Sequence, residues 1–176
     1  MFLLLEKYAT ERWGLEAFEN VMDAATPRLV TRDPFVGPGS YPDADLVTLV
    51  DAAAAASGTI ADDLLRDFGR FCFPQLLHRF PWALSGHDLR SFLSSLERTL
   101  HVDAQKLLPG VKTPSFRFRA EANRLRVEYR SPRRMCALAE GLLEGAALHF
   151  GARLELRKRA CLHKGADACA WDGTVT

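Results

Sequence analysis

The sequence predicts an α+β fold with a helical N-terminal lobe and a C-terminal lobe that contains an antiparallel sheet. Two observations predict it. Apolar residues recur at helical spacing as far as Pro109 and Gly110, which is the pattern of helices with one buried face. Beyond that point apolar and charged residues alternate with a period of two, as in strands with one solvated face. Helices followed by strands that a further helix interrupts are typical of the α+β class.

Four helices are predicted in the N-terminal lobe. They cover residues 2–22, 43–57, 61–78 and 87–108. Gly58 ends the second helix, and Pro74 is expected to kink or break the third, because proline removes a backbone donor and clashes with the preceding turn. Residues 26–42 are predicted to form a loop, since prolines and glycines interrupt any regular pattern there.

The C-terminal lobe is predicted to contain four strands and one helix. The strands cover residues 115–119, 125–130, 153–161 and 169–174, and the helix covers residues 133–150. Turn-forming residues 121–123 join the first two strands into a hairpin, and residues 164–167 do the same for the last two. The sheet is therefore antiparallel, with a helix between its two hairpins.

Composition limits the classes of function. The chain of 176 residues, of which 48% are hydrophobic, is large enough for one domain with a sizeable core. Its formal net charge of +1 argues against a general nucleic-acid binder. The apolar run at residues 1–5 is too short for a signal peptide or a membrane span, so the expected compartment is the cytoplasm. Four cysteines in such a chain favour metal or redox chemistry over structural disulfides.

The most informative side chains are Tyr129, Ser131 and Arg133. Their spacing of two places all three on one side of an extended segment. A phenol, a hydroxyl and a guanidinium that point together form a clamp for a carboxylate or another anion. The alternative interpretation is the end of a strand with a solvated arginine. We refer to these three residues as the clamp.

Six short strings, in this order, resemble the heme nitric oxide/oxygen-binding (H-NOX) family, and the resemblance runs from about Leu5 to the C-terminus. Tyr-x-Ser-x-Arg, with a helical histidine upstream and Pro-Ser-Phe between them, is the most specific combination. The strings are residues 39–43 (GSYPD), 80–81 with 85–88 (FP and SGHD), 100–101 (LH), 114–116 (PSF), 129–133 (YRSPR) and 138–142 (LAEGL).

The resemblance implies one H-NOX domain with heme b between a distal helical subdomain, residues 1–60, and a proximal subdomain, residues 61–176. It implies that His101 is the axial iron ligand, that the clamp holds the heme propionates, and that Pro114 packs on the heme and helps to distort it. The sequence has no Cys-x-x-Cys-His motif, so such a heme would be bound without covalent links.

The residues alone do not distinguish His101 from the other histidines. The apolar stripe of its predicted helix consists of Leu89, Phe92, Leu93, Leu96 and Leu100. At 100° per residue His101 lies well off the centre of that stripe, so periodicity leaves His78, His87 and His149 as equal rivals. The preference for His101 comes from the resemblance. A neutral imidazole is a common axial ligand of heme iron.

The resemblance also indicates which gas the heme would bind. Family members that bind oxygen stably have a distal tyrosine on the helix after the clamp, and Leu138 stands at that position. The other residues expected in the pocket are Phe71, Cys72, Leu76 and Leu142, which offer at most a weak thiol donor. The sequence therefore predicts a sensor that binds NO or CO and discriminates against oxygen.

A second candidate site lies near the C-terminus. Cys161, His163 and Cys169 surround a predicted turn, and Cys136 lies on the preceding helix. Three cysteines and one histidine are a typical tetrahedral ligand set for Zn²⁺. The alternative is that Cys136 is a small core residue and that the other cysteines are free thiols or an occasional disulfide. Asp167 is a substitute for His163 as the fourth ligand.

The predicted function is a sensory module and not an enzyme, because no nucleophile–base pair or open metal site emerges from the sequence. By analogy with the family, its output lies on a separate protein, a histidine kinase or a cyclic-di-nucleotide enzyme, with no nucleic acid or membrane as partner. Two alternatives remain open. One is a heme-independent zinc/thiol redox switch, and the other is a family scaffold that binds a different tetrapyrrole-like or lipid-like ligand.

Overall fold

The computed structural model describes residues 1–36, 41–79, 88–98 and 114–176, and it confirms the α+β fold class. The helices are α1 (Phe2–Trp13), α2 (Leu15–Ala25), α3 (Asp43–Ser57), α4 (Ala61–Arg79), α5 (Leu89–Arg98) and α6 (Cys136–His149). The strands are β1 (Ser115–Glu121), β2 (Arg124–Arg130), β3 (Leu154–Ala160) and β4 (Cys169–Val175). Of the helix predicted over residues 87–108, residues 99–108, including His101, lie outside the described residues.

The helices differ from the predicted ones in three respects. The single helix expected over residues 2–22 is two helices, because Gly14 adopts a φ of 88° and interrupts the helical backbone. Pro74 does not break α4, which continues to Arg79. The last helix begins at Cys136, three residues later than predicted, because Arg134 has a φ of 54° and turns the chain after β2.

The four strands form one antiparallel sheet in the order β1-β2-β4-β3. A tight turn at Ala122 and Asn123 joins β1 to β2, and Ala122 has a φ of 48° there. In the central pair, Tyr129 of β2 lies directly opposite Cys169 of β4. This register places the last residues of β2 beside the start of β4, where both candidate sites were predicted.

Two hydrophobic clusters fill the described part of the molecule. The N-terminal core lies among α1, α2, α3 and α4, and its fully buried members include Ala25, Phe68 and Cys72. The sheet core lies between the sheet and helices α5 and α6, around Val127 and Trp171. Among the described residues no single helix is both long and apolar enough to cross a membrane, although the bent pair Asp43–Ser57 and Ala61–His78 passes by length and composition together.

Helices α4 and α6 approach each other closely because glycines stand at their contact. A Cβ atom added at Gly141 would lie 1.9 Å from the carbonyl oxygen of Arg66, and one added at Gly69 would lie 2.5 Å from that of Leu138. Both distances are far below van der Waals contact and involve backbone atoms that cannot rotate away. The glycines therefore fix the distance between the helix of the N-terminal core and the helix of the sheet core.

We predict that Gly141→Ala destabilises the protein by at least about 2 kcal/mol, because the added methyl group forces the two helix backbones apart. Thermal or urea unfolding followed by circular dichroism measures the effect. Leu148→Ala, on the exposed side of the same helix, is the control and should change the stability by less than about 0.5 kcal/mol. Equal stability of Gly141→Ala and wild type would contradict the close contact.

Candidate functional site

β2 ends at Arg130, and Pro132 and Arg133 lie in a turn in which the Arg134 N–H donates to the Ser131 carbonyl oxygen at 3.1 Å, so the extended segment predicted over the clamp ends before Arg133. Tyr129 and Ser131 are 3% and 8% exposed, whereas the Arg133 side chain is 43% exposed. Burial raises the pKa of the Tyr129 phenol, and a hydrogen bond with the Ser131 side chain partly offsets that rise. The backbone N–H of Arg133 donates to the Ser131 hydroxyl at 3.2 Å. The phenol and the hydroxyl of the clamp are therefore buried and neutral, whereas its guanidinium is accessible to solvent.

The Arg133 guanidinium already holds a carboxylate. Its Nε lies 3.1 Å from Oδ2 of Asp43, at the first turn of α3, and the Asp43 side chain is 44% exposed. An ion pair this exposed contributes little to stability, so another carboxylate can replace Asp43 at small cost. Arg133 thus offers the charge and the planar donor group that a ligand carboxylate requires.

The apolar residues predicted for the ligand pocket lie together on α4 and α6. Cys72 and Leu138 are buried in the N-terminal core, and the other three are partly buried against it: Phe71, Leu76 and Leu142. Pro114 precedes β1 and is half-buried. His101, the predicted axial ligand, lies outside the described residues. We refer to the five residues on α4 and α6 as the apolar wall.

A tyrosine of α1 lies next to the apolar wall, but its hydroxyl is already engaged. Tyr8 contacts Phe71 with ring centroids 5.3 Å apart, and its hydroxyl donates to Asp67 at 2.7 Å. Burial raises the pKa of Tyr8, and the hydrogen bond to Asp67 and its negative charge raise it further. Arg12 and Arg70 hold Asp67 in place at 2.8 and 2.9 Å. The phenol is therefore a neutral donor committed to a fixed carboxylate.

Three buried thiols meet where α6 begins, where β3 ends and where β4 begins. The Sγ atom of Cys161 lies 3.8 Å from that of Cys136 and 4.0 Å from that of Cys169, and all three sulfurs lie within 4.8 Å of one another. The backbone N–H of Leu162 donates to Cys169 Sγ at 3.3 Å. We call these three cysteines the thiol triangle; its spacing suits a single soft metal ion.

The three thiols differ in acidity. Burial, together with the neighbouring sulfurs of Cys169 and Cys161, raises the pKa of Cys136 to about 12. Burial also raises the pKa of Cys161, but hydrogen bonds from the His163 backbone and from the other two thiols outweigh it, so the net pKa lies below its usual range. Cys161 is therefore the thiol that ionises first.

His163 is separate from the thiol triangle. It is exposed, and its Nε2 lies 2.6 Å from the carbonyl oxygen of Arg134, to which it donates. Within the described ranges, no histidine, aspartate or glutamate joins the three sulfurs as a fourth ligand. Asp167 is exposed as well. The nearest charged side chain on β3 is Lys158, whose ammonium pairs with Glu140 at 3.3 Å and interacts electrostatically with Cys136 and Cys161.

Charged side chains connect α4 to α6 beside the close glycine contact. Nε of Arg66 donates to both carboxylate oxygens of Glu144, at 2.9 and 3.0 Å, and Arg70 donates to the same carboxylate at 2.7 Å. Glu144 is only 8% exposed. Two arginines of one helix thus share one buried carboxylate of the other, which satisfies its charge in a desolvated position.

The same group of charges reaches the sheet. Glu140, one turn before Glu144, accepts a hydrogen bond from the Trp171 indole at 3.1 Å and pairs with Arg66 at 3.4 Å and Lys158 at 3.3 Å. Trp171 is fully buried. A continuous set of hydrogen bonds and ion pairs therefore runs from α4 through α6 to β3 and β4.

Comparison with known proteins identifies the family of this chain. The model of the Haem-NO-binding family (HNOB) matches residues 1–158. The chain belongs to the Haem-NO-binding, or H-NOX, family. This is a family of heme-based gas sensors, and its members bind heme. No curated protein matches the sequence.

Solved structures of H-NOX proteins have the same fold. The Fe(II)NO form of an H-NOX protein from S. oneidensis superimposes with a TM-score of 0.88 and 26% identity, covering 99% of this chain and 97% of that chain. The unliganded Fe(II) H-NOX protein from K. algicida gives 0.86 at 21% identity, covering 99% and 94%. A mutant H-NOX from T. Tengcongensis gives 0.77 at 17% identity, covering 97% and 91%. The last two structures, at 21% and 17% identity, show only that the fold is shared.

Sequence reasoning missed several residues of the site. Asp43 is the first residue of a predicted helix and was not singled out, yet it is the partner of Arg133. Lys158 was not singled out within its predicted strand, but it pairs in register with the buried Trp171, which places it on the side of the sheet that faces α6, where its ammonium reaches Glu140. The shared carboxylate Glu144 was not singled out; its spacing of four from Glu140 is the one signal that places both on one face of α6.

We predict that Glu144→Gln destabilises the protein by about 2–3 kcal/mol, because two arginines lose their shared carboxylate in a largely desolvated contact. Chemical denaturation at neutral pH measures the change. Glu155→Gln, which removes an exposed pair with Arg153 on β3, is the matched control and should cost less than about 0.5 kcal/mol. Similar losses for the two variants would show that the α4–α6 ion pairs do not contribute to the stability of the fold.

Proposed function

We propose that this H-NOX protein is a cytoplasmic NO sensor that uses heme b and regulates a separate signalling protein, a histidine kinase or a cyclic-di-nucleotide enzyme. The observation that carries the proposal is the clamp, in which an exposed guanidinium that already binds a carboxylate follows a buried phenol and a buried hydroxyl along the chain. In this proposal residues 1–60 form the distal subdomain and residues 61–176 the proximal one.

The chemistry of the described residues fits heme. A heme has two propionate carboxylates on one edge and a flat apolar body. Arg133, Ser131 and Tyr129 would hold the propionates, with Arg133 exchanging Asp43 for a ligand carboxylate of the same charge. The apolar wall and Pro114 would contact the macrocycle, and His101 would be the axial ligand. When bound, heme supplies the iron that takes up a diatomic gas.

The choice of gas follows from the donors around the apolar wall. A bound oxygen molecule gains most from a hydrogen-bond donor, and Leu138 and Leu142 offer none. The hydroxyl of Tyr8, the nearest phenol on α1, donates to Asp67 instead. Breaking that bond would remove a hydrogen bond to a charged, half-buried carboxylate, which costs more than the loss of a neutral one. These residues therefore favour NO, with CO as a second ligand, and disfavour oxygen.

Relatives give independent support. The S. oneidensis H-NOX protein has been solved with Fe(II)NO and, in solution, with Fe(II)CO. The solution structure covers 99% of this chain at 27% identity. A common fold at this identity makes the same ligand class the simplest proposal for this chain.

We predict that protein purified with a supply of heme has a strong Soret band and that His101→Ala removes or greatly weakens it, because the axial imidazole is lost. His78→Ala and His149→Ala, the rival histidines on α4 and α6, are the matched controls and should keep the band. Absorption spectroscopy with a heme assay measures all three. Loss of the band in a control but not in His101→Ala would assign the axial ligand to another residue.

The gas selectivity has its own test. The reduced protein should form a stable NO complex under argon and should give no stable oxygen complex in air, because the apolar wall offers at most the weak thiol donor of Cys72. Absorption spectra recorded before and after exposure to each gas measure this. An oxygen complex that persists through gel filtration would contradict the assignment as an NO sensor.

The thiol triangle supports a second candidate function, a zinc/thiol redox switch that works with or without heme. Three sulfurs within 4.8 Å of one another are preorganised to bind one Zn²⁺. The fourth ligand in this proposal is His163, whose side chain would have to leave the Arg134 carbonyl, or else Asp167. The thiol triangle is adjacent to the clamp, since Cys169 and Tyr129 are opposite each other on β4 and β2.

We predict that the protein binds one zinc ion and that Cys161→Ser abolishes the binding, because a hydroxyl is a much poorer ligand for Zn²⁺ than a thiolate. Cys72→Ser, in the N-terminal core, is the control and should keep the ion. Elemental analysis after dialysis measures the stoichiometry. Zinc without a Soret band would favour the redox switch over the heme sensor, and the absence of both would favour a scaffold for another tetrapyrrole-like ligand.

A further inference from the structure

The outer face of the sheet is unusually rich in arginine. Helices α5 and α6 pack against the other face, around Val127 and Trp171, so every second strand residue points outward. The exposed arginines of β1, β2 and β3 on this outer face are Arg117, Arg119, Arg124, Arg126, Arg130, Arg157 and Arg159. Fewer acidic residues share the face, namely Glu121, Glu128, Glu155 and Asp172. The face therefore carries a net positive charge in a protein that is almost neutral overall.

Four of these residues form a straight line across all four strands. Arg119 of β1 pairs in register with Arg126 of β2, Arg126 with Asp172 of β4, and Asp172 with Arg157 of β3. We call this line the arginine row. Its first two members are like charges directly opposite each other, an arrangement that opposes sheet formation unless an anion lies between or above them.

The carboxylate in the row is shared and cannot neutralise the rest. The Asp172 carboxylate accepts hydrogen bonds from Nε of Arg126 at 3.3 Å and from Nε of Arg159 at 2.7 Å. Within the part of the chain that the structure describes, no carboxylate lies within 4.0 Å of Arg119 or Arg157. Two guanidinium groups, one near each edge of the sheet, are thus available to a partner.

The identity of the side chains points to recognition of a protein rather than to simple solvation. Lysine and glutamate are the common choices for a solvated face, whereas arginine is enriched at protein interfaces, since its planar fork binds carboxylates in a fixed geometry. Glu128 and Asp172 lie among the arginines, so the face suits a partner whose acidic and non-acidic side chains follow a matching order. A uniform polyanion such as a nucleic acid or an anionic membrane would meet those two carboxylates unfavourably.

The spacing of the row defines the partner. Adjacent strands lie about 4.8 Å apart, so the row spans about 14 Å in three steps. Residues three or four apart on one face of an α-helix advance about 4.5–6 Å along its axis. We propose that the arginine row is a docking surface for an acidic helix of a partner protein that crosses the strands, with carboxylates at i, i+3 and i+10. A position at i+7 that is not acidic would face Asp172.

The test uses the full-length protein and two synthetic helical peptides of identical composition on an alanine-rich background. The first has Glu at positions 1, 4 and 11 and Lys at position 8. The isomer exchanges positions 1 and 8, so that in either direction of the helix its lysine faces an arginine at one end of the row, Arg119 or Arg157, and a glutamate faces Asp172. Fluorescence anisotropy should show that the isomer binds at least about fivefold more weakly than the first peptide, since two contacts become repulsive.

Variants of the protein identify the surface. Arg119→Glu/Arg157→Glu should weaken binding of the first peptide at least about fivefold, and neither substitution removes an ion pair within the described chain. Arg28→Glu/Arg32→Glu, which makes the same change in net charge on the exposed segment after α2, is the matched control and should change the affinity less than about twofold. Circular dichroism confirms that all variants are folded.

Three results would overturn the proposal. The two peptides could bind equally, the control variant could lose as much affinity as the row variant, or single-stranded DNA or phosphatidylglycerol vesicles could compete with the first peptide at the row. The first two would indicate unspecific attraction, and the third would assign the face to a different class of partner. The proposal does not depend on heme, so the absence of a Soret band leaves this test unchanged.

Discussion

The structure depends on the contact between α4 and α6. Glycines at positions 69 and 141 let the two backbones approach until no Cβ fits between them, and the Glu144 carboxylate locks the contact by accepting both Arg66 and Arg70. Close packing alone would hold the helices together but would still let one helix slide along the other. The directional hydrogen bonds to one buried carboxylate fix that shift, and with it the relative position of the N-terminal core and the sheet core.

Both candidate sites follow from the position of α6. Its first residue, Cys136, completes the thiol triangle with two cysteines of the C-terminal hairpin. Two turns of the same helix then carry Leu138 and Leu142 to the apolar wall. The preceding loop carries Arg133 to Asp43 of α3. One helix and its N-terminal loop therefore join the clamp, the apolar wall and the thiols, so that a ligand in one of them acts on a rigid element common to all.

Much of the fold could be predicted because periodicity reports burial. The two hairpins were expected from alternation and turn residues, whereas the extended segment predicted for the clamp ends early, because Pro132 and Arg133 form a turn. The break at Gly14 was missed, since the apolar pattern continues in phase on both sides of it. The charges at Glu144, Arg66 and Arg70 were missed for a different reason: sequence patterns treat charged residues as solvated, and only tertiary contact shows that this carboxylate is shared and buried. His101 depends on family resemblance, because its helical phase carries no information.

A crystal structure of the heme-loaded protein is the most direct test of the clamp as the binding site of the heme propionates. One propionate should lie within about 3 Å of the Arg133 guanidinium in place of Asp43, with the macrocycle against Phe71 and Leu142 and the iron on His101. If heme is bound while Arg133 still pairs with Asp43, or if the macrocycle lies away from α4 and α6, then the clamp is a structural feature of the β2 end and the central claim is wrong.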